Sequence, residues 1–232
     1  MHVAICIVGF RNADDILGCL EALSSSTHAD FEVVICENGG ATAHGRLLER
    51  LPPALPGGQA VRALLAPSNL GYAGGVNVCI EASRQADAWW VLNPDTLPSP
   101  SALAALVARL EIGDCEAVGD TIYLPDGRVQ SHGGRWRPWL ARAVSIGHGT
   151  RHGRGVDPAA VEARQNYLNG ASMLVGRRFV EAAGLMREDY FLYCEEVEWC
   201  LRARAKGRCP WMDALSGRLP SRPESTLVPS LL

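Results

Sequence analysis

The stretch Ala88-Trp89-Trp90-Val91-Leu92-Asn93-Pro94-Asp95-Thr96 decides how the chain is read. Five apolar residues run without a polar break, as in a strand covered on both faces. The polar Asn93 to Thr96 follow at once, which puts a carboxylate at the strand's carboxyl end. In open α/β sheets ligands bind at that end. The alternative for Asp95 is a plain helix-entry turn, since Asp is common in turns.

The same unit recurs toward the N-terminus. Val3 to Val8 is another continuous apolar run and reads as the first strand. Ala13 to Leu23 carries Ile16, Leu17, Leu20 and Leu23 at helical spacing, with Asn12 as N-cap and Asp14 and Asp15 in the first turn. Phe31 to Cys36 reads as the second strand, His44 to Leu51 as a short helix, Val61 to Leu65 as the third strand and Tyr72 to Gln85 as a helix. Alternating units of this length imply right-handed crossovers and an α/β, doubly wound, mostly parallel sheet of Rossmann-like type. The half after residue 98 is less regular. A helix is expected at Pro100–Leu110 with Ser99 or Ser101 near its cap, and a hairpin around Pro125-Asp126-Gly127. A strand is expected at Ala171–Val175, then helices at Arg177–Ala183 and Glu195–Lys206. Residues Arg135 to Pro158 show no period and read as a long mobile surface loop. Residues 208–232 hold Pro and Ser with weak periodicity and read as a disordered or loosely attached tail.

A chain of 232 residues can bury a real core. Its 47% apolar and 20% charged residues are ordinary for a globular protein. A net charge of −3 argues against a nucleic-acid partner, which calls for a basic surface. The eight cysteines form no C-x-x-C pair and read as buried thiols, so a cytoplasmic setting is expected. The N-terminus lacks a basic region and a cleavage site, and no apolar run approaches the ~18 residues that span a bilayer. Peripheral membrane contact stays open.

Three further segments bear chemistry. Glu37-Asn38-Gly39-Gly40 ends the second strand; the acid can accept hydrogen bonds from a base or ribose, or the segment is a polar turn. Asn69-Leu70-Gly71-Tyr72-Ala73-Gly74-Gly75-Val76-Asn77 opens a helix. Its glycines let backbone approach a ligand and its N-terminus favours phosphate, or the glycines serve a tight turn and close packing. It is neither a Walker loop nor G-x-G-x-x-G. In Tyr193-Cys194-Glu195-Glu196-Val197-Glu198-Trp199 the acids suit a helix start by its dipole, or one of them faces the cleft as a general base.

In order and spacing these segments, with Gly9-Phe10-Arg11-Asn12 after the first strand and Asn169-Gly170-Ala171 at the start of the strand Ala171–Val175, resemble the family-2 inverting nucleotide-sugar glycosyltransferases, particularly their bacterial rhamnosyltransferase-like branch. The similarity runs from about Val3 to Gly207. It implies a GT-A fold, with a nucleotide-sugar-binding half at 1–98, an acceptor and catalytic α+β half at 99–207, and an atypical segment at 208–232. By resemblance Glu37 sits where an acid contacts the base, and Gly9, Phe10, Arg11, Asn38, Asn69, Gly71, Ala73, Gly74, Gly75, Asn77, Asn93 and Gly170 line the donor pocket. Asp95 matches the metal ligand, for Mg²⁺ or Mn²⁺. Glu195 and Glu196 match the catalytic acid pair, with Glu196 as the base.

The implied reaction moves a sugar, with dTDP-rhamnose as the branch-level donor, to a glycan or lipid-linked acceptor for cell-surface polysaccharide. The implied place is the cytoplasm, at the inner face of the plasma membrane. The alternative is a nucleotide-sugar-binding remnant without turnover. Four departures stand out. Gly9-Phe10-Arg11 replaces the usual Thr-Tyr-Asn, and Glu37 replaces Asp. Glu196 also replaces Asp, moving its carboxylate one methylene outward, where a misplacement of ~1 Å can cost ~10²-fold in rate. After Gly207 no strand and no His resembles the family's; the last histidine is His152. The expectation for 208–232 is therefore a frame-shifted or truncated C-terminus.

Overall fold

A computed structural model describes residues 1–151, 157–206, 212–215 and 226–227, the last two pieces by their backbone alone. The first half alternates as expected: β1 (Val3–Gly9), α1 (Ala13–Leu23), β2 (Phe31–Glu37), α2 (Ala41–Leu48), β3 (Val61–Leu65), α3 (Gly71–Ala82) and β4 (Ala88–Leu92). Then come β5 (Thr96–Leu97), α4 (Ala102–Glu111), β6 (Ala117–Asp120), β7 (Ile122–Tyr123), β8 (Val129–Ser131), β9 (Gly134–Arg137) and β10 (Arg142–Ser145). α5 (Pro158–Glu162), β11 (Ser172–Gly176), α6 (Arg177–Ala183), α7 (Glu195–Ala205), β12 (Met212–Leu215) and β13 (Thr226–Leu227) complete the described elements.

Seven strands form the central sheet in the order β12-β6-β11-β4-β1-β2-β3. β3, β2, β1 and β4 run parallel, while β11 runs antiparallel to both β4 and β6. The doubly wound, mostly parallel sheet is therefore present, with one strand reversed.

Strand alternation divides the core into two layers. Ala4 and Cys6 of β1 and Trp89 and Val91 of β4 face α3, α6 and α7. Val3, Ile5 and Ile7, with Trp90 and Leu92, face α1 and α4. Each fully buried Val, Ile or Leu among them contributes about 1.5–3 kcal/mol. This two-sided burial explains why β1 and β4 read as unbroken apolar runs. The chain leaves β1 toward β2 and β3, then crosses back to place β4 on the other side of β1. The reversal opens a crevice at the carboxyl ends of β1 and β4, where Phe10–Arg11 and Asn93–Asp95 lie.

Several sequence expectations change. Asn12 caps α1 only through its carbonyl, which accepts from Ile16 N at 3.2 Å; its side chain turns back to accept from Phe10 N at 2.9 Å. Ala117–Tyr123 divides between two sheets: β6 joins the central one, and β7 pairs with β8 in the expected hairpin. Residues 134–145, read as a mobile loop, form the antiparallel hairpin β9–β10. Its arginines face water, so the segment lacks an apolar period. Its root is held by Asn166, whose Oδ1 accepts from Trp136 N at 2.7 Å, and by Gly134 N donating to Tyr167 O at 3.0 Å. The strand not found after Gly207 exists as β12, parallel to β6. Within 208–232, β12 and β13 are described as paired strands; the remainder of that segment and His152 lie outside the described residues.

Candidate active site

The loop after β1 and the end of β2 form one wall of the crevice. Glu37 is fully buried, and its Oε1 accepts from Arg11 N at 3.1 Å and Gly39 N at 2.6 Å. Gly9 makes room for this carboxylate: a Cβ there would stand 2.9 Å from Glu37 Oε2. Arg11 takes a left-handed φ of 61°, and its guanidinium lies 5.1 Å from the centre of the half-exposed Phe10 ring. Arg11, Glu37, Gly39, Gly40 and Arg46 line an open cavity of about 430 Å³.

The glycine-rich start of α3 is the floor. Gly71 has φ +70°, and a Cβ there would fall 2.2 Å from Phe191 O, so only glycine fits. Gly74 and Gly75 pack against Leu70 and Val8, and Ala73 is buried. These glycines therefore serve close packing, the reading held open beside phosphate approach. Asn69 Oδ1 accepts from Gly71 N at 3.1 Å and closes the turn. Asn38 bridges β2 to α3, donating to Gly71 O at 2.8 Å and accepting from Leu70 N at 3.2 Å. Asn77 ties α3 to the segment before α7, donating to Met186 O and Glu188 Oε1, each at 2.9 Å, and accepting from Met186 N. Both amides are thus engaged by the protein itself.

Across the crevice stands the loop after β4. Asn93, Pro94 and Asp95 are half-buried. Asp95 Oδ1 is buried and has no hydrogen-bond partner. Burial, then the charge of Asp15, raises the Asp95 carboxyl above its ordinary value. An acidic oxygen kept from water without a donor favours either a proton or a cation. No cluster of three or more metal-ligating side chains exists among the described residues. One unpartnered carboxylate oxygen fits a hard cation that keeps most of its shell as water and phosphate oxygens.

The last wall is the start of α7. Tyr193 and Cys194 both take left-handed backbone, φ 74° and 67°, directly before Glu195. Non-glycine residues held there cost about 1–3 kcal/mol each and cluster at functional sites. Glu195 is buried and its Oε2 has no partner. Burial, then the charge of Glu195, pushes the Glu196 carboxyl up to about 7. Glu198 points elsewhere and pairs with Arg202, Oε1 to Nε at 2.8 Å. Gly170 packs on Glu196: a Cβ there would meet Glu196 Cβ at 3.3 Å.

Tyr72 joins these walls and was not singled out from the sequence. Its hydroxyl lies 2.9 Å from Asn93 Oδ1 and 2.8 Å from Gly170 O, and its backbone N donates to Phe191 O at 2.9 Å. One hydroxyl proton serves one acceptor at a time, so the amide of Asn93 is free to turn and donate. Burial, then the charges of Glu195 and Glu196, raises the Tyr72 hydroxyl well above its ordinary value, and Asp95 adds to this. Both acidic groups therefore converge on this hydroxyl. The available signal was a lone hydroxylated aromatic among the small residues of Gly71–Gly75.

Known proteins share the family and the fold. The family model described as Glycosyl transferase family 2 matches residues 4–158. The low-salt glycan biosynthesis hexosyltransferase Agl10 of Haloferax volcanii is 22% identical over 225 residues, covering 92% of this chain and 66% of that protein. The Staphylococcus aureus TarS 1-349 structure superposes with a TM-score of 0.64 at 11% identity, covering 98% of this chain and 60% of that one. GalNAc-T7, solved with UDP, GalNAc and Mn²⁺, gives a TM-score of 0.69 at 12% identity, covering 87% of this chain and 40% of that one. The chain spans 22% to 66% of the length of the curated relatives it matches. The mixed, mainly parallel central sheet matches GT-A glycosyltransferase structures, and with two thirds of its length matched by one family model, the chain belongs to glycosyl transferase family 2.

Proposed function

We propose that this chain transfers a sugar from a nucleotide diphosphate to a hydroxyl of a glycan or lipid-linked acceptor, with inversion at the anomeric carbon. One observation carries the reading: Tyr72 ties the loop of Asp95 to the backbone that Glu196 packs against, so that the orphaned acid and the acid pushed up to about 7 share one cleft. Glu196 as carboxylate takes the acceptor's hydroxyl proton while that oxygen attacks the anomeric carbon. The bond to the diphosphate breaks in the same step, and a single displacement inverts the centre. A group with its pKa near the working pH suits this transfer, worth typically 10²–10⁴-fold. Burial, and then the charge of Glu195, keeps Glu196 basic. Asp95 would hold Mg²⁺ or Mn²⁺, which neutralises charge on the departing diphosphate.

The cavity lined by Arg11, Glu37 and Gly39 suits the nucleoside, with Gly9 and Phe10 on the loop that leads into it. Asn38, Asn69, Gly71, Ala73, Gly74, Gly75, Asn77 and Gly170 serve the donor pocket by shaping its walls. The rhamnosyltransferase-like motifs favour dTDP-rhamnose as donor and cell-surface polysaccharide as product. UDP in the GalNAc-T7 structure keeps uridine-linked sugars in the trial. The family resemblance favours a place in the cytoplasm, at the inner face of the plasma membrane.

Thermal-shift titration with dTDP, UDP and GDP, each with and without Mn²⁺, tests this reading. A ligand at ~100 times its Kd adds about 2.7 kcal/mol of stability. A metal-dependent shift with one nucleotide, followed by turnover of the matching nucleotide sugar, is the expected result. A shift without turnover would make the chain a binding protein. No shift with any of the three would sink the proposal.

A further inference from the structure

Hairpin β9–β10 carries an apolar tip inside a cationic collar. Trp139 at the tip is 98% exposed and Leu140 64%. Register places Arg137 directly opposite Arg142, and Arg135 shares their face because residues two apart on a strand point the same way. All three arginines are exposed, and none forms an ion pair with a carboxylate among the described residues. Like charges directly opposite in a sheet repel, so this face lacks its counter-charge. The other face is anchored: Trp136, opposite Ala143, packs on the core, and Asn166 binds the Trp136 backbone. A rigid root thus holds out a tip with no partner.

We propose that this hairpin is a docking element for an anionic bilayer surface, with Trp139 and Leu140 entering the interface and Arg135, Arg137 and Arg142 meeting lipid phosphates. Tryptophan belongs at that depth, with an apolar body and a polar N–H. Exposed arginines beside it add attraction to anionic lipid. A protein partner would offer carboxylates to the arginines, but a three-cation face around a bare tryptophan matches a surface apolar beneath and anionic on top. The root adjoins Tyr167, three residues before the Gly170 that packs on Glu196. Docking would therefore bring the side of the cleft that holds Glu196 to the membrane, where a lipid-linked acceptor resides. The inference deepens the membrane site of action proposed above and rests on it.

The full chain is pelleted with vesicles of phosphatidylcholine alone or mixed with phosphatidylglycerol. Expected are binding only to the anionic vesicles and loss of that binding as salt rises. The double variant Trp139→Ser/Leu140→Ser is expected to lower partitioning at least about tenfold, because binding scales with buried apolar area. Arg137→Glu/Arg142→Glu is expected to abolish it and Arg137→Lys/Arg142→Lys to keep most of it. Each variant is also taken through the nucleotide thermal shift, which reads folding and the donor site separately from docking. Absent or lipid-indifferent binding by the unaltered chain, or tip variants that bind as it does, overturns the docking proposal while a retained nucleotide shift leaves the enzyme reading standing. Concentration-dependent dimers that Trp139→Ser dissolves would overturn it too, by making the tip a contact between copies. Vesicle binding as expected with no nucleotide shift would sink the enzyme reading alone.

Discussion

Glu37 ends β2 and Glu196 opens α7, and the fold treats these two glutamates differently. Glu37 is buried with donors: two backbone N–H groups grip one oxygen. Glu196 is half-buried beside another acid, and its carboxyl is pushed up to about 7. Asp95 and Glu195 each keep an oxygen away from water with no partner. Burial with donors turns an acid into part of the scaffold. A buried acid oxygen left without a donor keeps a demand that a proton, a cation or a substrate hydroxyl can meet.

The sharpest way to break this contrast is Glu196→Gln. Transfer should fall by ~10²–10⁴-fold with the nucleotide thermal shift intact, as measured by single-turnover assay. Activity that survives would move the base elsewhere. The pH dependence follows from the same group. Transfer should rise through an apparent pKa of about 7 as Glu196 loses its proton. Stability should move the other way: the unfolded chain releases this proton at lower pH than the native one, so folding free energy declines from the ordinary glutamate range up to about pH 7 and then levels off. A denaturant series across that window checks the sign.

Asp95→Asn comes next. It should erase the Mn²⁺-dependent part of the nucleotide shift, up to about 2.7 kcal/mol at ~100 times Kd, and leave the metal-free part. Calorimetry with and without Mn²⁺ would reveal a misplaced ligand if the two titrations still differ. Glu37→Ala attacks the scaffold side. Orphaning Arg11 N and Gly39 N should cost about 1–3 kcal/mol of stability, seen in the urea midpoint, and Glu37→Gln should recover part of it. The smallest effect belongs to Tyr72→Phe, about 0.5–1.5 kcal/mol for one hydrogen bond. Its distinguishing readout is a lowered kcat at unchanged nucleotide affinity, because the hydroxyl positions Asn93 and Gly170 rather than the donor.

Much of the first half was legible because a parallel sheet buries both faces. Val3–Val8 and Ala88–Leu92 could be little else than central strands, and the helical spacing of Ile16, Leu20 and Leu23 was unbroken. Past residue 98 the rules weaken. β5, β7 and β13 have two residues each, too few to show a period. β9–β10 carries arginines where alternation would be sought, and its order comes from Asn166 and Tyr167 some 30 residues onward. The backbone strain at Tyr193–Cys194 has no sequence marker, since neither residue is Gly or Asn.

Residue chemistry and spacing by themselves determined the doubly wound sheet, the acids at the ends of β2 and β4, and the acidic pair opening α7. They did so because strand burial and helix periodicity are local patterns. Only the tertiary structure decided which acids are scaffold and which are exposed to reaction. That outcome depends on donors from other segments: Arg11 N and Gly39 N reach Glu37, whereas none reaches Asp95 Oδ1 or Glu195 Oε2. It also decided that Tyr72, far from Gly170 in the chain, would tie the two walls of the cleft together.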